Sequence, residues 1–183
     1  MKQEERVLIL HGWGGSDEPH WQWWLARELA GRGYPVWFPL LTDCHYPRKH
    51  KWIEEAKAAL SAFRPDTVVA HSLGAVLWLH LAQEPIKPVK RLLLVAPPSS
   101  QTALDTVKTF FPYEAPRDLK AAQAHLVFSD TDTYLGPGEG VRLAEALGIE
   151  FSLLEGAGHF NAQSGHGPWP WVLNWITKEN HAS

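Results

Sequence analysis

The chain predicts a three-layer α/β/α architecture with a mainly parallel central sheet of about six strands, and three observations carry that expectation. Six short apolar runs alternate with stretches of helical period along the sequence. Glycines and prolines mark many of the joints between them. The residues able to do chemistry fall just after the ends of apolar runs, where an open parallel sheet places its site.

The runs at residues 6–10, 34–38, 67–70, 91–96, 124–128 and 150–154 are rich in Val, Leu and aromatic residues, as strands covered on both faces require. Between most of them apolar residues recur at three-to-four spacing, which predicts helices over 20–31, 50–62, 73–83 and 138–147, and a last one from Pro170 to Glu179. In the second of these Trp52, Ile53, Ala56, Ala59, Leu60 and Phe63 form one stripe toward the sheet. Gly31 and Gly33 are expected to end the first helix and Gly148 the fourth, while Pro168 and Pro170 suit the start of the last. Residues 97–119 are the least regular. Because they begin at a strand end they read either as one wall of a substrate site or as a plain surface connection with a short helix around 104–109.

A length of 183 residues fits one domain, residues 1–183, with no room for a second core. Apolar residues make up 45% of the chain, yet no apolar run approaches the roughly 20 residues that span a bilayer. Residues 1–6 lead straight into a strand without the pattern of an export signal, so a cytoplasmic location is expected, with no membrane partner. The formal charge of -3, without a Lys/Arg stripe, excludes a nucleic-acid grip. Cys44 is the sole cysteine, read as a half-buried small side chain; with His45 and His50 it completes no metal-ligand spacing, and no cofactor is expected. The ten tryptophans are read mostly as core, with a substrate groove as the alternative; a monomer or small homo-oligomer is expected.

Ala70-His71-Ser72-Leu73-Gly74 lies between a strand-like run and a helix. Small residues around a serine suit a tight strand-to-helix turn that exposes a nucleophile; the plain alternative is a serine capping the helix. A nucleophilic serine needs a base and an acid that orients the base, and in sheets of this kind they follow in the order Ser, acid, His. Asp130 and Asp132 come just after the fifth run and His159 just after the sixth. All three therefore stand beyond strand ends and can converge. Asp132 is preferred as the acid because Tyr134 and Leu135 turn back into the protein behind it, whereas Asp130 reads as a turn former bonded to its own backbone. A structural histidine is the alternative for His159. His71 is expected to point away from Ser72, and His80 and His166 compete poorly.

His11-Gly12-Trp13-Gly14-Gly15 follows the first run and lacks both the Lys-Ser/Thr ending of a nucleotide loop and the spacing of a dinucleotide site. It reads instead as an oxyanion loop, with the backbone N–H groups of Trp13 and Leu73 as donors and the start of the third helix favouring the same charge. The expected substrate is a small acyl compound attacked by Ser72; a peptidase or amidase, or a binding protein on the same shell, stands beside an esterase.

The sequence resembles the small serine hydrolases of the YdeN and retinoblastoma-binding-protein type in the α/β hydrolase superfamily. The likeness rests on residues 11–16, Trp21, Trp24, Pro47, Trp52, residues 71–74, Ser-Asp-Thr-Asp at 129–132, Gly-His-Phe-Asn at 158–161 with Ser164-Gly165, and the Trp-rich end. It implies an α/β hydrolase fold without a large lid domain, Ser72 as nucleophile, His159 as base, Asp132 as acid, and short acyl esters as workable test substrates, with the physiological substrate left open. The sequence departs from the pattern at Ala70, where glycine is usual, and at Thr133 and Gly136, where prolines are common; a less stiff acid loop is expected.

Overall fold

The computed structural model describes residues 5–177. In chain order the elements are β1 (Val7–Leu10), α1 (Trp21–Gly31), β2 (Val36–Trp37), α2 (Lys49–Phe63), β3 (Thr67–His71), α3 (Leu73–Leu81), β4 (Val89–Val95), β5 (Ala121–Ser129), α4 (Pro137–Leu147), β6 (Glu150–Leu154) and α5 (Pro170–Thr177). A 3₁₀ turn, Asp105–Phe110, interrupts the connection after β4, and a shorter one spans Ala162–Ser164. The six strands form one sheet in the order β2-β1-β3-β4-β5-β6, every pair parallel.

Alternation along the strands fills two cores. Leu8, Leu10, Val68, Ala70, Leu92, Leu94, Leu126 and Phe128 face α2, α3 and α4, while Val7, Ile9, Val69, Leu93, Val95 and Val127 face α1 and α5. Both faces are thus covered, which is why these strands read as continuous apolar runs. Trp21, Leu25 and Leu29 supply the α1 stripe, and Trp52, Ala56 and Ala59 that of α2. Trp21, Trp52, Trp78 and Trp169 are core residues, whereas Trp13, Trp37 and Trp171 are exposed. Arg91, buried on β4, donates to the carbonyl oxygen of Ile176 at 3.1 Å and ties the C-terminal end of α5 to the sheet.

Several expected bounds move. β2 shrinks to two residues because Pro35 and Pro39 offer no N–H to a ladder. β5 starts at Ala121, since pairing with Val89–Val95 extends it through Ala121, Ala122 and Gln123, too small or polar to read as an apolar run. Gly33, at φ 85°, makes the turn after α1, and Gly31 is simply its last residue. α2 ends at Arg64 in the left-handed region, without a glycine to announce it. α3 stops at Leu81, and the expected last residue of α5, Glu179, lies outside the described residues, as does the start of the N-terminal segment. Among the described residues no helix is long and apolar enough to cross a membrane.

The strand order reverses between β1 and β3, so their following loops part in opposite directions and leave a crevice at the sheet's C-terminal edge. Gly74 sets how closely α3 meets β1 there. A Cβ on Gly74 would lie 2.5 Å from the His11 carbonyl oxygen and 2.6 Å from that of Leu10, both backbone atoms that cannot swing aside. Gly74→Ala is expected to cost about 1–3 kcal/mol or prevent folding, a loss read by urea unfolding. Ala70 has no such constraint, because its methyl group is absorbed in the core beneath α3.

Candidate active site

Ser72 sits between β3 and α3 with φ 55° and ψ −122°. Non-glycine residues seldom adopt a positive φ, so the surroundings must hold this turn. They do so through the Ser72 N–H, which donates to the Val95 carbonyl oxygen at 2.8 Å. The serine occupies the cap position of α3 but makes no side-chain cap bond. Its Oγ instead donates to His159 Nε2 at 2.7 Å, and His159 Nδ1–H donates to Asp132 Oδ2 at 2.8 Å. The carboxylate thereby places the ring proton on Nδ1 and leaves Nε2 free to accept. All three residues are buried to more than nine-tenths.

Asp132 stands where the acid is expected, while the turn-forming bond expected of Asp130 falls to Asp132 as well. Asp132 makes the local turn, its Oδ1 accepting from Tyr134 N–H at 2.8 Å, as well as the bond to His159. Asp130 Oδ1 accepts from Gly156 N–H at 2.7 Å, in the loop that carries the histidine. In the same way Ser129 Oγ accepts from Ala157 N–H at 3.0 Å and Thr131 Oγ1 from Gly158 N–H at 3.0 Å. Four consecutive side chains, 129–132, thus hold four consecutive residues, 156–159. Stiffness that prolines at 133 and 136 would have given is replaced by these cross-bonds. Leu135 turns inward as expected; Tyr134 stays at the surface, its ring 4.6 Å from that of His159.

Further bonds fix the backbone of the histidine loop. His71 does not merely point away: its Nε2–H donates to the His159 carbonyl oxygen at 2.9 Å. Trp21 Nε1–H reaches the Phe160 carbonyl oxygen at 2.9 Å, and the His159 N–H donates to Ser164 Oγ at 3.1 Å. Gly158, at φ 57°, allows that last approach, since a Cβ there would lie 2.5 Å from Ser164 Oγ. Burial holds the His71 pKa well below its ordinary value, so its ring stays a neutral donor.

On the other side of the crevice Gly12 backs against the serine, where a Cβ would come within 2.9 Å of Ser72 Cβ. His11 Nε2 accepts from Leu41 N–H at 2.9 Å and its Nδ1–H donates to the Gly12 carbonyl oxygen at 2.6 Å. Gln22, fully buried, donates to the Leu10 carbonyl oxygen at 2.9 Å and accepts from Ser16 Oγ at 2.8 Å. Trp13 is pinned by its indole N–H to the His45 carbonyl oxygen at 2.9 Å. Among the described residues the backbone N–H groups of Trp13 and Leu73 have no acceptor in the protein. The supporting roles of His71, Gln22 and Ser164 escaped the sequence reading, although Ser164 stands in the family likeness and Gln22 left a signal as a polar residue on the buried stripe of α1.

A cleft of about 390 Å³ opens over Ser72. Pro98, Leu104, Val107 and Phe111 form its apolar side, so residues 97–119 are both a wall and the site of a short helix. The lining also includes the polar Asp17, Glu18, His20, Asn161 and Gln163. Cys44 is half-buried and free, and among the described residues no three His, Cys, Asp or Glu side chains gather as a metal would need.

The family described as serine hydrolase matches residues 7–178. The chain belongs to the serine hydrolase family. This serine hydrolase resembles the YdeN protein of B. subtilis in structure, with a TM-score of 0.81 and 20% identity over 95% of this chain and 97% of that one. A YdeN-like hydrolase of Pectobacterium atrosepticum aligns at 0.80 and 21% identity over 96% and 90% of the two chains. The esterase domain of a Rhodothermus marinus protein aligns at 0.71 and 19% over 98% and 88%. No curated protein sequence matches the chain significantly. It is therefore a serine hydrolase whose α/β hydrolase fold is like that of YdeN, and among the described residues no large lid covers the cleft.

Proposed function

We propose that this serine hydrolase is a carboxylesterase acting on small acyl esters. The observation that carries the reading is the unbroken relay from Asp132 through His159 to Ser72, 2.8 and 2.7 Å long. The apolar wall formed by Leu104, Val107 and Phe111 supports a short hydrocarbon acyl group beside the serine.

His159 Nε2 takes the hydroxyl proton as Ser72 Oγ bonds to the ester carbonyl carbon. The Trp13 and Leu73 amides receive the negative oxygen that develops, and the positive end of α3 favours it further. As the tetrahedral intermediate collapses, the carbon–oxygen bond to the leaving group breaks and His159 returns its proton to the departing alcohol. Water, deprotonated by His159, then attacks the acyl-serine; the bond from the carbonyl carbon to Ser72 Oγ breaks, His159 returns the proton to Oγ, and the acid is released. Asp132 keeps the ring oriented and stabilises it while it is charged.

A fluorophosphonate probe with peptide mapping tests this reading. Stoichiometric labelling of Ser72, absent in Ser72→Ala, with hydrolysis of 4-nitrophenyl butyrate is the expected result. No labelling of folded protein refutes the nucleophile and favours a binding role; labelling with amide turnover alone refutes the ester assignment.

A further inference from the structure

The cleft holds one polar group that acyl transfer leaves unused. His20 precedes α1 as its cap, and its Nδ1 accepts the Gln22 N–H at 3.1 Å. That bond puts the ring proton on Nε2. Burial and the neighbouring histidines push its pKa down to about 4, so the ring is neutral at physiological pH. His20 is only 7% exposed and lines the same cleft as Ser72 and His159. Among the described residues its Nε2–H finds no acceptor in the protein, and it is not one of the atoms shut away from the cleft.

The position of the ring relative to His159 indicates which part of a substrate it meets. His20 and His159 both pack on His71, with ring centroids 4.9 and 5.3 Å away. His159 protonates the departing oxygen, so the leaving group sits beside His159 in the cleft that His20 also lines. Among the described residues that line the cleft, the carboxylates are those of Asp17 and Glu18 and there is no Lys or Arg, so the charge there opposes an anionic leaving group.

We propose, building on the esterase reading, that His20 is a specificity residue whose Nε2–H donates to an acceptor oxygen in the leaving alcohol. The substrate class that fits is a short-chain acyl ester of a neutral alcohol bearing a second oxygen, such as a polyol or hydroxy-ether.

Ethyl butyrate and 2-methoxyethyl butyrate differ in that one ether acceptor. The wild-type protein is expected to favour the ether ester by about tenfold in kcat/KM, the factor of one such hydrogen bond. His20→Asn keeps the helix cap, because asparagine is also a preferred cap residue, but removes the ring N–H. In this variant the preference falls to about onefold, a change in ratio that a merely structural role would not produce. A wild-type ratio near one, or a ratio equal in wild type and His20→Asn, overturns the assignment of His20; the wild-type ratio decides even if the variant fails to fold. Labelling of Ser72 in the same preparations separates the two readings, since loss of labelling in the wild type removes the esterase itself.

Discussion

Asp132→Asn lowers kcat by about 10⁴-fold while leaving the fold intact, the size of loss that an acid-to-amide change brings to a Ser-His-Asp relay. The amide has no charge to stabilise the imidazolium, and its NH₂ group can turn toward Nδ1 and drive the ring proton onto Nε2. Ser72 would then face a donor where it needs an acceptor. The same substitution at Asp130 is far milder. An asparagine there still accepts from Gly156 N–H through its carbonyl oxygen, so kcat stays within about threefold. Thr131→Val falls between the two. It removes the acceptor of the Gly158 N–H, next to the base, and costs about tenfold in kcat with little change in KM. Steady-state kinetics on one ester checks all three, with circular dichroism to confirm folding. A larger loss in Asp130→Asn than in Asp132→Asn would transfer the acid role to Asp130.

Acidification from pH 6.5 toward 4 destabilises the folded state by several kcal/mol, and the cause is buried neutral histidine. His20 is pushed down to about 4, and burial lowers His11, His71, His80, His125 and His166 from their ordinary value as well. In this window the unfolded chain takes up protons that the folded one refuses, so ν is larger for the unfolded state and stability rises with pH. Stability is fully present above about 6.5 and is lost progressively as pH falls toward the folded values. His20 alone contributes roughly 3 kcal/mol, from a displacement of about two and a half pKa units. Asp66 is held below its ordinary value, with Lys90 and the Arg6 N–H as the stabilising partners, against the opposing effect of burial; its contribution is lost only below about pH 4. Urea midpoints at pH 7.5, 6, 5 and 4.5 measure the slope. A midpoint that stays constant from pH 6.5 to 5 contradicts the burial of these rings.

How much of the site could be read from the chain depends on whether a residue's role leaves a local trace. Ser72, Asp132 and His159 left one, because each follows a strand and stands among small or turn-forming residues. The bonds from residues 129–131 to 156–158 left none, because hydrogen bonds between loops 26 to 28 positions apart have no period or composition. His71 illustrates the same limit. Alternation along β3 points its side chain away from that of Ser72, yet the ring still reaches the base by its backbone.

The sequence by itself determined the alternation of strands and helices, the parallel sheet covered on both faces, and the chemical identity of the three groups that meet at its edge. Periodicity and turn chemistry are local properties, legible wherever burial follows a repeating pattern. Only the tertiary structure decided the strand order that opens the crevice between β1 and β3, the division of labour between Asp130 and Asp132, and the neutral ring of His20 left facing the cleft. Those outcomes rest on which distant groups come within 3 Å of one another and which are shut away from water, and both are set by packing rather than by order along the chain.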